Sequence, residues 1–102
     1  MEEKRECCHT TKTKERTEKE YKDLIHRLNR IEGQVRGFKK MVESDTYCTD
    51  ILIQVSAVNA ALNSFSKVLL GNHIRTCVAE DIRQGKEETV EELVATLQKL
   101  MK

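Results

Sequence analysis

Apolar residues recur every three or four positions through the middle of the chain, and this spacing constrains the fold more than any other feature. From Tyr21 to Val42 they follow one face of a helix of about six turns. From Ile51 to Leu69 a second stripe also repeats every seven residues, as on a surface that packs against another helix. The chain contains no proline that would interrupt either stretch. The sequence therefore predicts two long helices.

Short polar segments mark where these helices begin and end. The capping-box pattern of residues 17–20 predicts the start of the first helix, and residues 44–46 predict a tight break with an N-cap for the second. Gly71-Asn72 either ends the second helix or lies within it; we expect continuation, because Ile74 and Val78 keep the apolar spacing. Gly85 predicts the next turn, before a short third helix with an apolar stripe from residue 90 to residue 101.

The composition agrees with an all-α class and limits the size of the core. The chain has 102 residues, of which 38% are hydrophobic and 4% aromatic, so a single copy buries only a modest core and oligomerisation would relieve that shortage. We expect a mobile tail at residues 1–16 and one helical domain at residues 17–102. No apolar run approaches the roughly 20 residues of a membrane span, and no signal peptide is recognisable. We therefore expect a cytoplasmic protein that does not bind membranes, whose four cysteines serve metal or redox chemistry.

Two cysteines and one histidine form a ligand set for a soft metal ion. His73 and Cys77 are four residues apart, so on a helix they project from one face and can chelate one ion. Two thiolates and an imidazole suit a three-coordinate ion, with copper(I) as the first candidate. Cys48 lies 25 positions before His73, and a continuous helix would separate the two by roughly 37 Å. The third ligand is therefore expected from another subunit.

Positive charge is concentrated in the first half of the chain. Residues 4–40 carry 12 Lys and Arg against six acids, a balance of +6, whereas residues 41–102 have a balance of −3. Repeated around a symmetric oligomer, the basic half would attract a polyanion such as DNA. The alternative is an ordinary solvated helix face.

Together with the ligand set, four segments make the chain resemble the copper-sensitive operon repressor (CsoR) family of bacterial metal-sensing repressors. The resemblance runs from about residue 21 to the C-terminus. It is specific because the segments occur together: His-Arg-Leu-Asn-Arg-Ile-Glu-Gly-Gln-Val-Arg-Gly (26–37), Met-Val-Glu-Ser-Asp-Thr-Tyr-Cys (41–48), Asp-Ile-Leu-Ile-Gln-Val-Ser-Ala-Val (50–58) and Val-Glu-Glu-Leu (90–93).

The resemblance implies a three-helix protomer without a winged helix, an antiparallel homodimer and a dimer-of-dimers homotetramer. It implies that copper(I) is bound by Cys48 of one protomer and by His73 and Cys77 of the other. Tyr47 and Glu92 match positions that form hydrogen bonds around the histidine, where its second ring nitrogen would connect the metal to the third helix. The family function is repression of copper-export genes by the metal-free tetramer, with release from operator DNA when copper(I) binds.

The resemblance also assigns one DNA-contacting residue, Arg27. Other basic residues are plausible neighbours in a DNA-binding surface, and for each a solvent-only role remains open: Arg30, Arg36, Lys39, Lys40 and Lys67.

Cys7, Cys8 and His9 fall outside the resemblance. They are soft ligands that would capture copper, transfer it or add a ligand; the alternative is a tail without a role. His9 also bears on a nickel- or cobalt-sensing alternative, because those branches of the family use an added N-terminal ligand. Sensing of persulfides through Cys48 and Cys77 is a further alternative, which the retained His73 disfavours.

A copper buffer or chaperone that never contacts DNA is the alternative from a different functional class. The basic first half and the segment 26–37 argue against it. Enzymatic activity is not expected, because the sequence has no nucleophile–base arrangement, no phosphate-binding loop and no evident pair of catalytic carboxylates.

Overall fold

The computed structural model describes residues 14–101 and, in this part of the chain, the regular structure is entirely helical. The helices are α1 (Glu18–Glu43), α2 (Cys48–His73), a π-helical turn (Ile74–Val78), α3 (Ala79–Arg83) and α4 (Glu88–Leu100). Because α2, the π-helical turn and α3 follow one another without a break, the described chain forms three helical segments, 18–43, 48–83 and 88–100. The prediction of an all-α, three-helix protomer is confirmed. Most of the predicted tail, residues 1–13, lies outside the described residues.

Helix α1 begins where the capping-box pattern predicts. Thr17 has extended backbone angles, and its hydroxyl oxygen accepts a hydrogen bond from the backbone N–H of Glu20 at 3.1 Å. This contact satisfies one of the first N–H groups of the helix, which have no partner within the helix itself. Glu18 and Glu20 place negative charge in the first turn, where the helix dipole favours it.

The predicted break between α1 and α2 is a Schellman turn centred on Asp45. The backbone N–H of Thr46 donates to the carbonyl oxygen of Met41 at 2.9 Å, and that of Asp45 donates to Val42 at 3.2 Å. Asp45 itself has φ of 59°, in the left-handed region that this turn requires. Aspartate tolerates that region better than most residues, so a short polar segment suffices to end α1.

The same turn recurs at Gly85, which confirms the second predicted break. The N–H of Gly85 donates to Ile82 at 3.0 Å, and the N–H of Lys86 donates to the carbonyl oxygen of Asp81 at 2.8 Å. Gly85 has φ of 79°, which glycine adopts without steric cost. Between the two breaks the helix continues through Gly71 and Asn72, as expected from the apolar spacing.

The helices belong to two compact units, which bury different kinds of side chain. The unit Arg16–Leu69 contains α1 and most of α2, and its buried side chains are Leu24, Ile31 and Val58. The unit from Leu70 onward, to which Lys14 and Glu15 also belong, contains the π-helical turn, α3 and α4. Its buried side chains are Cys77, Val78, Asp81 and Thr89.

Much of the predicted apolar surface remains exposed in a single chain. Tyr21 and Val42, at the two ends of the α1 stripe, are each 57% exposed, and Leu52 and Leu62 in the α2 stripe are 62% and 43% exposed. Large apolar side chains in such number are normally covered by another surface. Among the described residues, no helix combines the length and the hydropathy needed to cross a membrane.

Candidate metal site and nucleic-acid surface

His73 and Cys77 flank a change in helix type that the sequence did not indicate. His73 is the last residue of α2, and Cys77 lies in the π-helical turn that follows. At the end of this turn the N–H of Ala79 donates to the carbonyl oxygen of Ile74, five residues earlier, instead of the four of an α-helix. π-Helical turns are rare and frequently occur at functional sites. The predicted placement of both residues on one continuous helical segment is confirmed.

The hydroxyl of Thr76, in the π-helical turn, contacts the backbone of the last turn of α2. It donates to the carbonyl oxygen of Asn72 at 2.7 Å, a bond to the residue four positions earlier of the kind that locally perturbs helices. The ammonium of Lys14 donates to the same hydroxyl oxygen at 2.9 Å, and the hydroxyl lies 3.8 Å from Cys77 Sγ. Thr76 is therefore the polar neighbour of the candidate thiolate ligand, and sequence reasoning missed it.

Cys77 and Cys48 differ in exposure and in oxidation state. Cys77 is 4% exposed and is part of a disulfide in this structure, so it requires reduction before it can act as a thiolate ligand. Cys48, the first residue of α2, is exposed and carries a free thiol. His73 is half-buried at the other end of α2. Cys48 and His73 thus occupy the two ends of one uninterrupted helix. A continuous helix is what keeps these two residues of one chain too far apart to bind the same ion.

Within the described part of one chain, no three His, Cys, Asp or Glu side chains come together as a metal-binding group. Tyr47 precedes α2, where its carbonyl oxygen accepts hydrogen bonds from Asp50 and Ile51, and its side chain is 73% exposed. Glu92 is exposed on α4. The exposed Cys48 and Tyr47 are adjacent at the start of α2, so both are available to a second protein chain. Cys7, Cys8 and His9 lie outside the described residues.

Two side chains, one on each of two helices, hold Arg27 of the predicted DNA-binding set in position. Its Nε donates to Asp23 Oδ2 at 3.2 Å within α1, and its Nη1 donates to the hydroxyl oxygen of Ser64 on α2 at 3.1 Å. Ser64 is a neighbour that sequence reasoning missed, since no local signal connects positions 37 residues apart. A shallow groove between the helices is lined by Arg27, Arg30, Ile31, Gln34, Ala61 and Ser64.

The remaining predicted DNA-binding residues do not share one surface. At about 100° per residue, Arg30 lies within about 60° of Arg27 on α1, whereas Arg36 lies on the opposite side of the helix. Lys67 follows Ser64 by one turn of α2 and therefore extends the Arg27 side. Helix geometry thus divides the predicted set into two groups. Arg27 and Arg30 line the groove, with Lys67 beyond it on the same side, whereas Arg36, Lys39 and Lys40 lie on another face of α1. All except the half-buried Arg27 are exposed.

Comparison with known proteins places this geometry in a family. Residues 20–99 match the model of the metal-sensitive transcriptional repressor family. The chain is 46% identical over 88 residues to the copper-sensing transcriptional repressor CsoR of Bacillus subtilis, a match that covers 85% of this chain and 87% of that protein. It is 49% identical over 59 residues to the copper-sensing transcriptional repressor RicR of Mycobacterium tuberculosis, covering 58% of this chain and 62% of the relative.

Two solved structures resemble this fold. The crystal structure of the copper-sensing repressor CsoR with Cu(I) from Geobacillus thermodenitrificans has a TM-score of 0.83 and 45% sequence identity, covering 88% of this chain and 95% of that one. The nickel-responsive transcriptional regulator InrS has a TM-score of 0.68 and 36% identity, covering 78% and 91% respectively. The similarity therefore extends to sensors of two different metals.

Proposed function

The chain belongs to the metal-sensitive transcriptional repressor family, and we propose that it is a copper(I)-responsive repressor. In its metal-free form it binds operator DNA, and the binding of copper(I) releases it and derepresses copper-export genes. The observation that carries this proposal is the uninterrupted helical segment 48–83, which has Cys48 at its first residue and both His73 and Cys77 beyond position 72. The repressor functions in the cytoplasm, where DNA is present and thiols are kept reduced.

The proposed ligands are Cys48 of one protomer and His73 and Cys77 of the other. Their chemistry fits the ion, because thiolate sulfur and imidazole nitrogen are donors that copper(I) accepts with low coordination number. Burial of Cys77 keeps one sulfur away from water, whereas exposure of Cys48 leaves the other accessible to a second chain. Bound copper(I) would supply a cross-link between two protomers. Both sulfurs must be deprotonated, so metal binding releases protons.

The exposed apolar side chains support the proposed homodimer and its dimer-of-dimers tetramer. Helices α1 and α2 each leave part of an apolar stripe open in a single chain, at Tyr21 and Val42 on α1 and at Leu52 and Leu62 on α2. Packing these stripes against a second copy would enlarge the small core of the protomer. An antiparallel arrangement would bring the start of one α2 to the end of the other. That arrangement supplies the third ligand.

We also propose that Tyr47 and Glu92 form hydrogen bonds around the histidine. Tyr47 is next to the ligand Cys48, and Glu92 lies on α4 in the same unit as His73. A hydrogen bond to the second ring nitrogen of His73 fixes which nitrogen is available for the metal. It also gives α4 a means of responding to the state of the site.

The proposed DNA-binding surface is the basic side of the unit Arg16–Leu69. Arg27 and Arg30 adjoin the groove and Lys67 extends it, with Arg36, Lys39 and Lys40 on a second face of α1. Arginine and lysine side chains bind phosphate oxygens without reading sequence, so this surface accounts for affinity and orientation. Copper-driven release requires that the metal-bound form bind DNA more weakly, and by linkage DNA must then weaken copper binding by the same factor.

The experiment that tests this function is anaerobic fluorescence anisotropy of the reduced protein on labelled DNA from its own upstream region. We expect salt-dependent binding of the metal-free protein and release near one copper(I) per protomer. Nickel(II), cobalt(II) and a polysulfide donor are titrated separately. Release only by one of these would transfer the function to another branch of the family, and absence of DNA binding at low salt would favour a copper buffer or chaperone.

A nickel or cobalt sensor remains the second candidate, because the fold also resembles the nickel-responsive InrS at a TM-score of 0.68. Such ions prefer more ligands than the three proposed here. His9, Cys7 or Cys8 would have to supply them. Replacing all three with Ala or Ser tests both this role and an accessory role in copper capture: unchanged copper(I) affinity, release and rate of copper uptake would contradict an accessory role.

A further inference from the structure

Asp81 and Thr89 are the most deeply buried side chains of the described residues, although both are polar. Each is 2% exposed, and the hydroxyl of Thr89 donates a hydrogen bond to Asp81 Oδ2. A carboxylate in such a place is tolerated only when hydrogen bonds replace its lost water. Nothing in the apolar periodicity of the sequence accounts for an aspartate at this position. The filling of an apolar core therefore does not explain why this pair is buried.

The pair connects the helical segment of the proposed ligands to α4. Asp81 follows Cys77 by four residues and His73 by eight, which is the spacing of one helix face. Thr89 is the second residue of α4 and precedes Glu92 by three, so these two also share a face. One hydrogen bond thus joins the element that carries two proposed ligands to the element that carries the proposed partner of the histidine.

The backbone of Asp81 strengthens this connection. Its carbonyl oxygen accepts hydrogen bonds from Lys86 at 2.8 Å and from Gln84 at 3.1 Å, which close the turn at Gly85. Asp81 therefore holds the turn with its main chain and the first turn of α4 with its side chain. A displacement of α3 is transmitted to α4 because the turn between them is hydrogen-bonded to the same residue.

We propose that the Asp81–Thr89 hydrogen bond couples metal ligation at His73 and Cys77 to the position of α4. This inference rests on the proposed function and deepens its regulation. Asp81 and Thr89 are positioning residues and do not bind the metal. Movement of Cys77 on ligation carries Asp81 with it along one helical turn, and Asp81 moves the start of α4 through Thr89. Glu92, one turn further along α4, is thereby brought to or withdrawn from the histidine.

The test compares Thr89→Val, which keeps the shape and removes the hydroxyl, with Thr89→Ser, which keeps the hydroxyl. Thr96→Val is the matched control, because Thr96 is exposed on the same helix. For each protein, DNA affinity is measured by anisotropy with and without copper(I), and copper(I) affinity by competition with a chromophoric chelator. We expect Thr89→Val to reduce by at least tenfold the factor by which copper(I) weakens DNA binding, with metal-free DNA affinity changed less than threefold. Thr89→Ser and Thr96→Val are expected to retain the wild-type factor.

A Thr89→Val protein that folds and retains the full copper response would overturn the coupling role and leave the pair as a structural contact. Failure of the wild-type protein to be released by copper(I) would instead overturn the proposed function, and the coupling role with it. If Thr89→Val does not fold, hydrogen–deuterium exchange of the wild type decides the question. We then expect copper(I) to change amide protection in residues 88–100 together with residues 74–83; a change confined to residues 74–83 would refute the coupling.

Discussion

The guanidinium of Arg27 on α1 donates from Nη1 to the hydroxyl oxygen of Ser64 on α2 at 3.1 Å, and this contact orients the side chain across two helices. Its Nε donates to Asp23 at 3.2 Å. A guanidinium has five N–H donors, so one held by these two contacts retains donors for a phosphate. Orientation of Arg27 before DNA binds reduces the side-chain entropy lost in the complex.

This arrangement predicts different effects for Arg27→Ala and Ser64→Ala. We expect Arg27→Ala to lower metal-free DNA affinity at least tenfold and to reduce the slope of log affinity against log salt by about 1 for each Arg27 that contacts DNA. Ser64→Ala is expected to lower affinity about 2- to 10-fold, as for loss of one hydrogen bond, without changing the slope. Ser56→Ala, at an exposed site on the same helix, is the control. An unchanged salt slope for Arg27→Ala would contradict a phosphate contact.

The division of the basic residues into two faces gives a second prediction. We expect the double variant Arg30→Ala, Lys67→Ala to lower DNA affinity more than the triple variant Arg36→Ala, Lys39→Ala, Lys40→Ala, although the triple variant removes more charge. The physical reason is that Arg30 lines the groove beside the oriented Arg27 and Lys67 extends the same side. Affinities are compared at one fixed salt concentration. A larger loss in the triple variant would place the DNA on the other face of α1.

His73→Ala separates metal binding from its consequence. Because two thiolates remain, we expect the variant to retain substantial copper(I) affinity, and because the histidine is the proposed connection to α4, we expect copper(I) no longer to release it from DNA. His26→Ala, which removes an exposed histidine of α1, is expected to leave copper(I) affinity unchanged. Chelator competition and anisotropy on the same reduced samples measure both quantities. Wild-type release by copper(I) in the His73→Ala protein would contradict the mechanism.

Sharing of the site between protomers is tested by mixing two inactive variants. Cys48→Ser and Cys77→Ser homo-oligomers are each expected to lose high-affinity copper(I) binding. After subunit exchange, a mixed dimer contains two different sites. One site has all three ligands, and the other has serine in place of both cysteines. High-affinity copper(I) binding should therefore reappear at about one ion per mixed dimer. Its failure to reappear in confirmed mixed dimers would mean that the three residues do not form a site across the interface.

The turn at Gly85 predicts a stability effect independent of metal. Gly85 has φ of 79°, and a Cβ there would meet nothing within 4 Å, so the cost of Gly85→Ala is conformational and we expect a loss of about 1–2 kcal/mol. Gly37→Ala, inside α1 and also without neighbours within 4 Å, is expected to stabilise by about 0.5–1 kcal/mol. Urea unfolding of the reduced, metal-free protein measures both. Destabilisation by Gly37→Ala would indicate that another chain packs against this position.

Features that depend only on neighbouring residues were predicted from the sequence alone. Apolar spacing, a capping threonine and polar or glycine-containing turns gave the three helical segments and their breaks, because helix geometry and turn angles follow from local residue types. The proposed ligand set of Cys48, His73 and Cys77 was also a prediction from the sequence, since four-residue spacing alone places the last two on one helix face. Its assembly between protomers remains a prediction.

The contacts between side chains across helices and turns became evident only from the packing of the folded chain. The π-helical turn at Ile74–Val78, the Arg27–Ser64 contact and the buried Asp81–Thr89 pair have no signature in spacing or composition. The Arg27–Ser64 contact and the Asp81–Thr89 pair depend on how separate segments pack. The number of residues between two positions does not predict such packing. The π-helical turn replaces the α-helical hydrogen bonds of a stretch whose residues fit either pattern. Packing therefore oriented the proposed DNA contact and connected the helical segment of the proposed ligands to α4.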